Sequence, residues 1–201
     1  MRIRPQEPTA ALAALITGNH GFLREPVAVT PWRPIGAAGP PPDSGRADEL
    51  PDPPVQGGDS GRAFALVWSR EEEVALAPEV FGFAGDERAA FRALEVLAKA
   101  DAGEGVRLVE TTFDDEGVPL VVVVARLETR LASLEPAWAH AESRVFDGIR
   151  RLLVEAVRVR AAVLAGRTRV VGALVEDADG RVHWLGELPG QERVLTAPSR
   201  G

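Results

Sequence analysis

The chain has 201 residues, a formal net charge of −7 and no cysteine. This length fits one ordinary domain with appendages or two small domains, and a hydrophobic content of 45% is typical of a folded protein. The lack of cysteine excludes disulfides, thiol nucleophiles and iron–sulfur clusters. The acidic balance argues against nucleic-acid binding, which depends on neutralising phosphates.

The N-terminal sequence does not have the pattern of a secretion signal. Its apolar run at 10–16 is short and follows two prolines and Glu7. No stretch approaches the roughly 18–20 apolar residues that cross a bilayer. We therefore expect a soluble, cytoplasmic protein with no membrane partner.

Residues 1–35 are predicted to form an N-terminal docking arm. Thr9 is a suitable N-cap, and residues 10–17 predict two helical turns that end at Gly18. Prolines hold residues 22–35 extended, as an edge strand or a polyproline-like segment. Such a short apolar piece is stable only when it is docked. The apolar side chains expected to make the contact are Leu12, Leu15, Ile16, Phe22, Leu23, Trp32 and Ile35.

Residues 36–62 are predicted to be a disordered linker, because they are rich in proline and glycine and contain no aromatic residue. A flexible chain of this length spans about 30 Å on average. The arm could therefore dock on its own domain, on a second copy or on another protein, and the sequence leaves these alternatives open.

Residues 63–188 are predicted to form the folded body, followed by a loose polar tail at 189–201. The run Leu120–Val124 is apolar on both faces, as a central strand would be. The predicted elements of the body are a strand at 63–69, an undecided stretch at 70–85, a helix at 86–103, a hairpin with strands at 106–113 and 118–128 around the turn 114–117, a helix at 136–165, and a closing hairpin at 168–188.

The resulting order β-α-β-β-α-β-β predicts an α+β fold. We expect an antiparallel sheet with two helices on one face, in the split βαβ (ferredoxin-like) arrangement with one additional edge strand. This architecture supports many functions and therefore specifies none of them.

No motif in the chain predicts a catalytic, cofactor or metal site. His20, His140 and His183 are far apart in sequence and show no short metal-ligand spacing. The acidic stretches at 114–117 and 176–181 lack the spacing of a calcium loop and lie where hairpin turns are needed. The glycine-rich segments lack the phosphate-loop patterns. We expect no cofactor and no metal.

The long predicted helix has two features that suggest contact with a protein. Its arginine face, represented by Arg144, Arg151 and Arg158, contrasts with residues 63–136, which hold seven basic and fifteen acidic residues. This face is either simply solvated, with i,i+4 ion pairs, or a surface for an acidic partner such as a second copy. The helix also has an apolar line beside its main stripe, so either the helix is buried in the core or the arm or another subunit covers this line. The members of that second line are Phe146, Leu153, Val157 and Leu164.

These features support two hypotheses for function. The first is a non-enzymatic subunit or adaptor of a protein assembly, whose arm docks on a protein partner or a second copy. The alternative is a small enzyme or ligand-binding domain with a carboxylate/arginine site on its sheet face. An exposed apolar surface would favour the first, and a deep pocket with a perturbed carboxylate the second. The polar residues available for such a site are Arg126, Glu110, Glu128 and His183.

Overall fold

The chain folds around one open β-sheet, as seen in a computed structural model that describes residues 7–24, 30–34, 65–69, 74–82, 91–93, 102–113 and 118–197. The helices are α1 (Pro8–Arg24), α2 (Ala102–Thr112), α3 (Glu135–Glu155), α4 (Val157–Leu164) and α5 (Gln191–Thr196). The strands are β1 (Trp32–Pro34), β2 (Ala65–Ser69), β3 (Val74–Leu76), β4 (Phe91–Ala93), β5 (Leu120–Leu127), β6 (Arg169–Glu176) and β7 (Val182–Gly186). Short 3₁₀ turns lie at Pro78–Phe81 and Thr129–Leu131. The fold is thus a mixed α+β fold, as predicted.

The main sheet is mostly parallel, with the strand order β4-β2-β5-β6-β7. Strands β4 and β5 pair with β2 in parallel, β6 pairs with β5 in parallel, and β7 pairs with β6 in the antiparallel sense. In the register, Val122 of β5 lies between Val67 and Val171. The central position of β5 explains its double-sided apolar run. Strands β1 and β3 form a separate antiparallel pair.

The predicted antiparallel order of the sheet is wrong, and the cause lies at residues 106–113. We expected a strand there because valine, threonine and phenylalanine are common in strands. These residues instead lie in α2 and at its end, where Val106, Val109 and Phe113 are buried at helical spacing. Helix α2 lies between β4 and β5, so the connection into β5 is a crossover, and β5 runs parallel to β2 and β4.

One other predicted element of the body and the predicted tail differ from the structure. The helix expected at 86–103 is wrong at Phe91–Ala93, which is strand β4, and residues 83–90 and 94–101 lie outside the described ranges. The tail expected to be loose contains α5, which packs against the core through Val194 and Leu195. The closing hairpin is confirmed, since β6 and β7 pair on either side of the turn that ends at Gly180.

Two apolar cores lie on opposite faces of the sheet. On one face, α2, α3 and α4 cover the alternate β5 residues Val121 and Val123. On the other face, α1, β1, β3 and the 3₁₀ turn Pro78–Phe81 cover Leu120, Val122 and Val124. The sheet is therefore covered on both faces, whereas the sequence predicted helices on one face only.

The N-terminal arm is part of the second core. Leu15, Phe22 and Trp32 are buried against the same chain. Helix α1 continues beyond Gly18, where the sequence predicted its end, because Asn19 is held by the body. Its Nδ2 donates to the carbonyl oxygens of Val80 and Gly180, both at 2.9 Å.

Gly18 allows α1 to lie directly on the 3₁₀ turn. A Cβ atom at this position would come within 1.8 Å of the carbonyl oxygen of Phe81. The described part of the arm is thus fitted to its own body. The predicted disorder of the linker at 36–62 lies outside the described residues.

Candidate functional site

The helix predicted at 136–165 is broken into α3 and α4. Ala156 separates them with φ −88° and ψ 94°, an extended conformation in a stretch without proline or glycine. The amide N–H of Arg158, in the first turn of α4, donates to Oε1 of Glu110 on α2 at 3.0 Å. Glu110 was a candidate for a site on the sheet face, but it lies at this helix junction.

The junction between α3 and α4 carries an exposed apolar stripe. Val154 is 47% exposed, Val157 70% and Leu164 58%. Ala161, also exposed, lies between the last two on α4. We call these four residues the α3–α4 stripe. The arm, which the sequence offered as one possible cover for the second apolar line, lies on the opposite face of the sheet.

The arginines near the stripe differ in their surroundings. Arg150 and Arg158 are exposed, and Arg144 is half-buried. Arg151 pairs through Nε with Oε1 of Glu155 at 3.2 Å, an i,i+4 ion pair. Such an exposed pair contributes little to stability. The rim of the stripe therefore carries arginine side chains, and one of them, Arg151, forms an ion pair of the predicted i,i+4 type.

A second polar group of residues lies where β5 and β6 end. The parallel pairing brings the carboxyl ends of both strands to one edge of the sheet, as Leu127 pairs with Glu176. Nη2 of Arg126 contacts Oδ2 of Asp177 at 2.9 Å. The other oxygen, Oδ1, accepts from the amide and the hydroxyl of Thr129, at 2.8 and 3.0 Å.

These contacts determine the charge state of Asp177. Burial alone would raise the pKa of its carboxyl group. The hydrogen bonds from the Thr129 amide, the Arg126 side chain and the Thr129 hydroxyl, together with the positive charge of Arg126, outweigh burial and hold the pKa below its ordinary value of 3.8. Asp177 is therefore an ionised anchor that fixes the loop after β5 to the turn after β6.

A carboxylate–imidazole pair lies beside this anchor. Oε1 of Glu176 is 2.7 Å from Nε2 of His183, and the Glu176 side chain is largely buried. The ring of Trp138 on α3 meets the imidazole edge-on, with centroids 5.0 Å apart. A carboxylate can fix the tautomer of an imidazole so that its other nitrogen can exchange a proton or bind a ligand. The same geometry also serves to hold β7 against β6 and α3.

The structure does not bring the four polar residues suggested for a site on the sheet face into one group. Arg126 and His183 both lie toward the carboxyl ends of β5 and β6, but the register places them on opposite faces of the sheet. Glu128 follows β5 at the same end, paired with Arg130 at 3.0 Å. Sequence reasoning missed Glu176 and Asp177 as partners, because the acidic stretch at 176–181 was interpreted only as a turn.

The apolar residues proposed for the arm contact fall into three groups. Leu15, Phe22 and Trp32 are buried, with Nε1 of Trp32 donating to the carbonyl oxygen of Val175 at 3.2 Å. Three others are half-buried, and one lies outside the described residues. The half-buried residues are Leu12, Ile16 and Leu23, and the residue outside is Ile35. The arm therefore docks on its own body, one of the predicted alternatives, and its docking on a partner stays a prediction.

Two features are absent from the described part of the chain. It holds no group of three or more histidine, aspartate or glutamate side chains placed to bind a metal ion. None of its helices is long and apolar enough to span a membrane.

Comparison of the sequence with known proteins gave no family assignment. No protein-family model matches the chain, and no curated protein matches it.

Proposed function

We propose that the chain is a non-enzymatic subunit of a protein assembly, and that it joins a second copy of itself through the α3–α4 stripe. The observation that carries this proposal is the position of the exposed apolar residues. Of the four large apolar side chains that are exposed in the described ranges, three lie at the end of α3 and along α4. Scattered exposed apolar residues are ordinary, whereas a contiguous group at a helix surface is typical of a contact site.

The position of the arm supports this proposal. It was the intramolecular candidate to cover the second apolar line, yet its described residues lie across the sheet from α3 and α4. Covering Val157 and Leu164 would then fall to another subunit. Burial of such side chains stabilises an interface by roughly 1.5–3 kcal/mol each.

Charge favours a second copy as the partner. The exposed Arg150 and Arg158 at the rim would meet an acidic surface, and residues 63–136 of this chain carry fifteen acidic residues against seven basic ones. A twofold contact repeats the same surface on both copies, so this pairing requires acidic residues of each copy to face the arginines of the other.

The test is the mass of the purified chain in solution. We expect light scattering after size exclusion to give twice the monomer mass of 21.4 kDa at high concentration. Val157→Asp should raise the dissociation constant about tenfold or more, since it places a charge in the interface. Leu134→Asp is the matched control, because Leu134 is 51% exposed but lies before α3, outside the stripe. A monomer at every concentration, or equal weakening by both substitutions, would overturn the proposal.

A second candidate function, binding of a small anionic ligand at the carboxyl end of the sheet, is favoured by the His183 imidazole, which Glu176 holds there at 2.7 Å. In open parallel sheets, ligands commonly bind outside the carboxyl ends of the strands. A thermal-shift series with mono- and dicarboxylates tests it. Stabilisation that disappears in His183→Ala would support this function, and no shift with any of them would count against it.

A further inference from the structure

The break between α3 and α4 has no cause in its own sequence. Kinks normally occur at proline, at glycine or where a side chain inserts into the hydrogen-bond ladder. Residues 149–165 contain neither proline nor glycine, and alanine, found at the break, is the best helix former. The cause must therefore come from outside these two helices.

Glu110 supplies that cause. Helix α4 begins at Val157, and its N-cap residue, Ala156, makes no side-chain capping bond. The first amide groups of a helix have no acceptor within the helix, and a carboxylate near them is stabilising. Glu110 of α2 takes this role across the helix interface, because its Oε1 accepts a hydrogen bond from the amide of Arg158. It does for α4 what a serine or aspartate at position 156 would ordinarily do.

The break also determines how the side chains of the stripe are arranged. Ala156 retains the bond from its amide to the carbonyl oxygen of Leu152, and its own carbonyl accepts from Arg160, at 2.9 and 3.0 Å. The change of direction is thus confined to one residue. Val154 and Val157 lie on either side of it, so the angle at Ala156 determines how these two side chains are arranged relative to each other.

We propose that Glu110 is the positioning residue of the α3–α4 stripe, and that its cap on α4 sets the geometry through which a second copy is bound. The positioning role rests on the hydrogen bond, and its consequence for assembly rests on the proposed function. Without the carboxylate, the Arg158 amide would have to donate to water instead, or to a carbonyl group of α3. The second alternative would join α3 and α4 into one continuous helix. Joining the helices would move Val157 relative to Val154, and an amide bound only by water would leave the angle at Ala156 less fixed, so both outcomes weaken the contact.

The experiment compares Glu110→Ala with Glu110→Gln in the full-length chain. Glutamine keeps a side-chain carbonyl oxygen that can accept a hydrogen bond from the Arg158 amide, and alanine has no such oxygen. Hydrogen exchange of individual amides, measured by NMR on dilute protein, reports the cap without any need for a dimer. We expect exchange at Arg158, or at Val157 and Val159 beside it, to change about tenfold or more in the alanine variant, as for loss of one charge-assisted bond.

Amide exchange in the glutamine variant should stay closer to that of the natural chain. The dissociation constant of the dimer should rise from the natural chain to Glu110→Gln and further to Glu110→Ala. Arg107→Ala, an exposed change on α2, controls for general disturbance of that helix. Unchanged exchange at residues 157–159 in Glu110→Ala would overturn the positioning role. If exchange changes but the natural chain is monomeric, Glu110 still sets the break and the proposed self-assembly fails. If the dimer forms equally well in all variants, the link between the cap and assembly is wrong.

Discussion

Single side chains join segments of the fold that are far apart in sequence. Asn19 was interpreted as part of a helix stop, yet it is buried and hydrogen-bonded to residues more than 60 positions away. A sequence cannot indicate such bonds, because they depend on which loops the fold brings together. The same holds for Asp177, whose partners Arg126 and Thr129 lie about 50 residues earlier. Both residue types are common in turns, and this ordinary explanation concealed their long-range role.

The anchor at Asp177 predicts a pH dependence of stability. Its pKa is lowered in the folded state, so the carboxylate stabilises the fold above the ordinary value of 3.8. That contribution is lost as the pH falls through the lowered value. Asp177→Asn should therefore lower the free energy of unfolding by about 1 kcal/mol at pH 7, since the pair is partly solvated.

Urea denaturation at pH 7, 4 and 2.5 measures this effect. The difference between the natural chain and Asp177→Asn should shrink towards the lowest pH. The control is Asp147→Asn, an exposed carboxylate on α3, which should change little at any pH. A difference that stays constant from pH 7 to 2.5 would contradict the assignment of Asp177 as a charged anchor.

At the scale of elements, the sequence was informative where the apolar pattern was unambiguous. Strands β2, β5, β6 and β7 and most of α3 were predicted, because a run such as Leu120–Val124 fits only a central strand. Helix α2 was not, since its β-branched residues outweighed the helical spacing of Val106, Val109 and Phe113. The break at Ala156 left no signal in the sequence, because its cause is a carboxylate on another helix.

The fit of α1 to the body predicts opposite effects at two glycines of the same helix. Gly18→Ala would place a methyl group against the carbonyl oxygen of Phe81, so it should force α1 away from the 3₁₀ turn. Gly21→Ala meets no atom within 4 Å and should stabilise the helix by about 0.5–1 kcal/mol. Thermal unfolding of both variants gives the comparison. A Gly18→Ala variant as stable as Gly21→Ala would mean that the arm does not lie on the body as described.

For the whole molecule, the burial of the arm changes what it can do. The arm supplies one side of the second core, so its buried side chains would have to leave that core before they could contact a partner. Among the described residues, the surface that we propose for a partner is the α3–α4 stripe with its arginine rim. The sequence predicted the apolar line and the arginines, but it could not separate the buried Leu153 from the exposed Val157, because that difference arises at the break.

The most direct measurement is hydrogen–deuterium exchange of the full-length chain at low and at high protein concentration. Self-association through the stripe predicts that protection rises with concentration at residues 150–165 and stays constant in α1 and β7. Exchange that is independent of concentration, or protection that appears only in the arm, would contradict the assignment of α3 and α4 as the contact surface.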